Sequence, residues 1–249
     1  MPDALASALA APGLGWIAFS TLVAGAVYGF AGFGAALVFM PVALIWLTPA
    51  QAVGAIAVCA ASSALTVLPD ALRRCRPAAV GPMLAAAAVA MPFGVVVLRR
   101  ADPDTLRTAV SLIVLGTLAA LVAGWRLRTV PTAWTRAAVG AGAGGMGAAT
   151  GLNGPVVILF NLAGSDPADV VRADTIVFLT VTSLYLIPLL VLQGALGAHG
   201  AWIGVLLFPI YGLGTLAGRA AFRPGRESLY RWTAYVLIAF AGTAGLPIW

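Results

Sequence analysis

Two glycine-rich stretches hold the residues best placed to do chemistry. GFAGFGAALVFMP runs from Gly29 to Pro41, and GGMGAATGLNGPVVILF from Gly144 to Phe160. A glycine inside a helix costs roughly 1 kcal/mol against alanine. Gly29, Gly32 and Gly34 within one apolar run therefore mark a place where a helix stops and restarts. A restarted helix presents N–H groups that have no partner within the helix, and the partial positive charge at its start favours anions. In the second stretch, Asn153-Gly154-Pro155 reads as a cap region followed by a proline at a helix start. Val156 and Val157 then offer free N–H groups, as do Gly34, Ala35 and Ala36 in the first stretch, just past Gly32. Two such starts facing each other make an anion site without a charged side chain.

The polar residues that fall within apolar runs suit the same task. Ser62 and Ser63 lie in one run, Thr180, Thr182 and Ser183 in another, and Thr150, Asn153 and Asn161 around the second break. Hydroxyl and amide N–H donors match the oxygens of a small anion, although Ser and Thr in a span also bond their own helix backbone. Tyr28 stands beside the first break. The candidate binding residues are Gly32, Gly34, Ala35, Ala36, Ser62, Asn153, Gly154, Pro155, Val156 and Thr180. Materials for catalysis are missing. The one histidine, His199, is expected near the outer surface, and Asp70, Asp102, Asp104, Asp166, Asp169, Asp174 and Glu227 are read as lying at span ends or in loops. No catalytic residue, metal site or cofactor is expected, and an enzyme is excluded. Cys59 reads as a packing residue; Cys75 sits in RRCRP, where neighbouring arginines can lower a thiol pKa, but a reactive thiol there is the minor reading. Neither cysteine belongs to a metal or disulfide pattern.

The elements that must position these residues are membrane spans. Hydrophobic residues make up 61% of the 249-residue chain and charged ones 9%, against about 25% charged in a soluble domain. That much apolar surface belongs in a bilayer, crossed by helices. The basic residues are all arginine, and their short clusters between apolar runs read as cytoplasmic loops and not as a nucleic-acid face. Single spans are expected at Pro49–Pro69, Pro77–Leu98, Leu106–Gly124, Val171–Leu192, Trp202–Gly218 and Leu229–Leu246. TPAQ at Thr48, DPDT at Asp102 and DPAD at Asp166 each combine an N-cap residue with proline at the first helical position. Leu14–Leu47 and Trp134–Gly164 are too long for one span, short for two, and broken by glycines, so each is read as a bent or re-entrant hairpin.

The two hairpins look like copies. One fixed offset aligns Pro49 with Pro167, Trp16 with Trp134, Gly29 with Gly147, Ser62 with Thr180 and Gly94 with Gly212. The expected fold is an all-α polytopic membrane protein of two inverted-topology repeats, residues 1–128 and 129–249, each a broken hairpin followed by three transmembrane helices. The arginine clusters put RRCR, WRLRTVPTAWTR and RAAFRPGRESLYR inside, and QGALGAHG and both termini outside. RRADPDTLR fits this scheme poorly. The N-terminus lacks a basic region and is not read as a signal peptide. Inverted repeats with broken helices are a transporter architecture, with the site near the midplane at the repeat interface. Small-residue spacing at Gly25 and Gly29, Gly147 and Gly151, and Gly214 and Gly218 also permits close helix packing, the favoured reading for Gly214 and Gly218.

GFAGFGAALVFMP, together with GLNGPVVILFNLAG at Gly151–Gly164, resembles the paired glycine-rich motifs of the TauE/SafE sulfite exporter family. Gly29, Gly32, Gly34 and Pro41 match the first motif, and Gly151, Gly154 and Pro155 the second. Ala35 and Ala36 stand where the family often has glycine, so the first match is looser. The resemblance covers nearly the whole chain and implies export of sulfite, sulfoacetate or related organosulfur anions across the bacterial inner membrane. The partners implied are a small anionic substrate and the lipid bilayer, with a homo-oligomer left open. A small-anion channel and a non-transporting membrane assembly subunit remain the alternative readings.

Overall fold

The computed structural model describes residues 2–125, 132–161 and 166–221. All regular elements among them are helices: α1 (Pro2–Leu9), α2 (Leu14–Ala31), α3 (Ala35–Ala43), α4 (Pro49–Ala60), α5 (Ser63–Thr66), α6 (Leu68–Leu72), α7 (Pro77–Arg100), α8 (Pro103–Val122), α9 (Ala133–Thr150), α10 (Gly154–Asn161), α11 (Ala168–Leu192) and α12 (Ala198–Ala221). Six helical stretches among the described residues are long and apolar enough to cross a membrane, which makes this a multi-pass membrane protein. The span expected at Leu229–Leu246 lies outside the described residues.

Both long glycine-broken stretches are indeed split. α2 ends at Gly32, whose N–H donates to the Tyr28 carbonyl (2.7 Å), and α3 restarts after Gly34. Gly32 and Gly34 have φ of 81° and 92°, a left-handed conformation that costs other residues about 1–2 kcal/mol. α9 ends at Gly151, also left-handed, and α10 restarts at Gly154. The order from α2 to α4, a broken helix and then a span, recurs from α9 to α11.

Local chemistry explains the starts. Thr48 caps α4 in a reciprocal box: its hydroxyl accepts from Gln51 N–H (3.4 Å) while the Gln51 side chain accepts from Thr48 N–H (3.0 Å). Asp102 caps α8 by accepting from the N–H groups of Asp104 and Thr105 (3.1 and 3.0 Å). DPAD behaves differently from expectation. Asp166 does not cap α11; Pro167 is the N-cap residue, and both Asp166 oxygens accept from the Arg76 guanidinium (2.6 and 2.8 Å). A bidentate pairing with a cation is stronger than a neutral cap bond.

Two further differences concern helix continuity. The expected span Pro49–Pro69 is interrupted at Ala61 and Ser62, and the chain continues through the short helices α5 and α6. The Ser62 and Thr66 hydroxyls donate to the carbonyls of Cys59 (2.8 Å) and Ser62 (3.1 Å), bonds that bend helices. Its counterpart α11 runs unbroken from Ala168 to Leu192. α1, not anticipated, ties down the N-terminal segment against α12, where the Ser7 hydroxyl meets His199 Nδ1 at 3.1 Å. His199 thus has an exposed structural contact.

Helices of the first half pack chiefly on helices of the second. α2 crosses α12, and α7 crosses α9. Small residues let the backbones touch. A Cβ on Gly25 or Gly29 would strike the backbone of Tyr211 or Thr215, and one on Gly214 or Gly218 the backbone of Leu22 or Ala26. Gly140 and Gly144 of α9 make the same close approach to Met83 and Ala87 of α7. The packing reading of Gly214 and Gly218 holds. Gly147 instead approaches Asn153 across its own break.

Candidate functional site

Both helix breaks open onto one interior cavity of about 50 Å³. From the first break come Gly34, Ala35 and Ala36; from the second Gly151, Asn153, Gly154 and Pro155; from α11 Thr180 and Ser183. A water needs roughly 10–15 Å³ of such space, so the cavity holds a few water-sized groups. A sulfur bearing three oxygens is of that size. No charged side chain among the described residues lines it.

The cavity is held by two tyrosines and two α11 hydroxyls. Tyr28, from the last full turn of α2, places its hydroxyl 2.9 Å from Thr180 Oγ1 and donates to the Ile176 carbonyl (3.3 Å). Its ring lies 6.1 Å from that of Tyr211 on α12, tilted 45°. The Asn153 side-chain N–H donates to Thr182 Oγ1 (3.1 Å), which in turn donates to the Phe178 carbonyl (2.8 Å). One Asn153 N–H is thus spent on fixing the second break to α11. Ser63 is 1% exposed, lines the cavity, and its hydroxyl makes no hydrogen bond of ordinary geometry. The Tyr211 hydroxyl interacts with it only weakly. A buried hydroxyl left this way costs about 1–3 kcal/mol of desolvation, which a bound anion or water relieves.

Of the residues singled out from sequence, Gly34, Ala35, Ala36, Asn153, Gly154, Pro155 and Thr180 come together here. Gly32, Ser62 and Val156 do not line the cavity. Gly32 packs against the Arg172 side chain. Ser62 is buried with its hydroxyl on the Cys59 carbonyl. The interruption of α4 turns Ser63 inward in its place, because successive residues of a helical turn point about 100° apart. Ser183, named with the polar residues of its run but not carried among the binding candidates, also lines the cavity, as does Tyr211, which nothing in a single apolar sequence distinguishes from a packing residue.

A second polar region lies at the end of the bundle where α6 meets α7 and α11 begins. The Asp174 carboxylate, near the start of α11, is only 6% exposed. It accepts from the Arg76 backbone N–H (2.7 Å) and from the Arg76 guanidinium (3.1 and 2.8 Å), while the same guanidinium holds Asp166. Arg76 pulls the Asp166 carboxyl below the usual carboxylate range, and Asp166 raises the guanidinium in turn. Cys75 does not gain a lowered pKa from RRCRP: partial burial, with the Asp174 charge, raises it above that of a free thiol. Arg172, an arginine inside an expected span that the sequence reading passed over, donates from Nε to the Phe30 carbonyl (2.9 Å) and from its terminal nitrogen to the Gly29 carbonyl. It thereby caps the end of α2 at the first break.

Residues 17–244 match the family model described as Sulfite exporter TauE/SafE. No curated protein and no solved structure matches the chain.

Proposed function

We propose that this chain, which belongs to the sulfite exporter TauE/SafE family, carries sulfite or a related small organosulfonate outward across a bacterial inner membrane. The family is one of membrane transporters and not of enzymes, so binding and release are the steps to account for. The observation that carries the reading is the shared cavity, small and uncharged, to which both helix breaks contribute.

The anion head sits between the two helix starts. The unpaired N–H groups of Ala35, Ala36 and the first turn of α10 face its oxygens, with the Ser63, Thr180 and Asn153 side chains as further donors. Inverted repeats would bring the two starts to the midplane from opposite sides. Each helix start contributes only about 0.3–1 kcal/mol, up to ~2 when partly buried, far less than full desolvation of a small anion costs. Binding is therefore weak and the site stays partly hydrated, which suits release of a waste anion. Among the described residues, the lining holds no carboxylate or histidine. The membrane potential, negative inside, favours anion exit by about 2.3 kcal/mol per charge per 100 mV, and export follows it without a coupled proton.

Proteoliposomes in which potential and pH gradient are set independently test this. Saturable sulfite flux that follows voltage at zero pH gradient is expected. Flux that follows the pH gradient and ignores voltage overturns the mechanism, and absence of anion flux overturns the transport reading. Asn153→Ala is expected to weaken transport with folded protein still in the membrane, and normal flux from that variant removes Asn153 from the site.

A further inference from the structure

α10, the half-helix that restarts after the second break, is tied to α11 at both of its ends. The Asn153 side chain, just before it, donates to Thr182 Oγ1 (3.1 Å), and that of Asn161, its last residue, donates to Thr175 Oγ1 (2.9 Å). Thr175 and Thr182 share one face of α11, two turns apart, or about 10.5 Å along the axis. Asn153 and Asn161 are separated by about 12 Å at the same helical rise. The two spacings match, with the helices antiparallel.

The threonines are suited to this pairing. The Thr175 and Thr182 hydroxyls donate their own protons to the carbonyls of Val171 (2.7 Å) and Phe178 (2.8 Å). Towards α10 each oxygen is therefore an acceptor, which fixes the asparagine amides as donors. Thr175 is fully buried and Thr182 nearly so. Neither Asn161 nor Thr175 lines the central cavity. They lie at the other end of α10, and reach the cavity only by setting where its first turn stands.

The first repeat is built differently. α3 reads AALVFMPVA, without a hydroxyl, amide or charged side chain. The offset that aligns Pro49 with Pro167 puts Ala35, Ala43, Ala57 and Ala64 where Asn153, Asn161, Thr175 and Thr182 stand in the second half. At the first break the polar tie to α11 comes from α2, through Tyr28 to the Ile176 carbonyl and Thr180; α3 itself contributes no side-chain bond.

We propose that Asn161 and Thr175 are positioning residues for the central site. With Asn153 and Thr182 they clamp α10 to α11 at both ends and hold the second helix start against the anion, by bonds that α3 has no side chains to make. As a role in anion binding this rests on the function proposed above; as a clamp on α10 it does not.

The test uses the full-length protein in nanodiscs for equilibrium binding of radiolabelled sulfite and for amide hydrogen exchange, and in proteoliposomes for flux. Asn161→Ala and Thr175→Val are each expected to weaken sulfite binding about threefold to tenfold, raising KM with maximal flux unchanged. The double variant should be no worse than either single one, because both remove the same bond. Thr175→Ser, which keeps the oxygen, should bind as the unaltered protein does. So should Thr117→Val on α8, which loses only a bond to its own helix at the Ile113 carbonyl. Exchange of the α10 amides should rise in Asn161→Ala and Thr175→Val and stay unchanged in the two controls. If Asn161→Ala does not fold, Thr175→Val, which keeps the side-chain shape, decides. Unchanged affinity in both single variants overturns the positioning role, as do losses that multiply in the double variant or an equal loss from Thr117→Val. If the unaltered protein binds and carries no sulfite, the function proposed above falls; the clamp then stands on faster α10 exchange in both single variants, and unchanged exchange overturns it too.

Discussion

Arg76 and Asp174 are bound to each other but not equally dependent on each other, and this asymmetry is measurable. Asp174 is 6% exposed and takes both charged hydrogen bonds to its Oδ2 from Arg76. Arg76 is 39% exposed and has a second carboxylate, Asp166, at 2.6 Å. Arg76→Gln leaves a buried carboxylate without its cation, a loss of about 3–5 kcal/mol for a broken buried pair. Asp174→Asn leaves an arginine that still has Asp166 and water, and the amide oxygen can keep accepting; about 1–2 kcal/mol is expected. The two variants should differ by about 2 kcal/mol, roughly thirtyfold in the folded-to-unfolded ratio. The double variant Arg76→Gln, Asp174→Asn should be no less stable than Arg76→Gln alone, because the stranded charge is gone. Unfolding by denaturing detergent in mixed micelles, followed by tryptophan fluorescence and far-UV dichroism, reads all three. Equal losses from the single variants, or a larger loss from Asp174→Asn, would refute the reasoning that burial of Asp174 dominates.

Gly29→Ala should cost about 1–3 kcal/mol, because its Cβ meets the Thr215 backbone. Gly116→Ala, with no atom within 4 Å of the added carbon, should be neutral or stabilise by up to ~1 kcal/mol; the same unfolding assay compares them. Asp166 has its carboxyl held low by Arg76, so its contribution is complete above the ordinary carboxylate pKa of about 3.9 and is lost as pH falls below it. Asp166→Asn should flatten the acid limb of a stability–pH profile, and an unchanged limb would remove Asp166 as its source. The raised Cys75 thiol should react slowly with maleimide at neutral pH, with a rate midpoint above about 8.5; a midpoint below that value would contradict the geometry around Asp174.

Much of the fold was legible because membrane helices announce themselves by length and apolarity, and because breaks are written in glycine. Gly32, Gly34 and Gly151 carry the positive φ that ends α2 and α9, and the Thr48 and Asp102 caps follow from local hydrogen bonding that needs no tertiary context. What was not legible depended on distant partners. Asp166 has the sequence of a cap but finds Arg76, and Asp174 looks like a span-end acid until the chain brings the same arginine over it. The choice between Ser62 and Ser63 was not legible for a different reason. Adjacent serines in AASSAL point about 100° apart, and nothing in the composition says which one meets the cavity and which one meets α12. Arg172 had a visible signal, a cation inside an apolar run, which in a membrane span asks for a partner.

The glycine crossings also set a timetable for biogenesis. α2 leaves the ribosome long before α12, yet the surface that its Gly25 and Gly29 expose is closed by α12, the last helix described. At about 5–20 residues per second, that surface waits for some tens of seconds among lipid tails before its partner is made. Pairing of α2 with α12 is therefore a late, post-insertion event, and the first helix break and the cavity beside it take shape only once nearly the whole chain has been threaded into the bilayer.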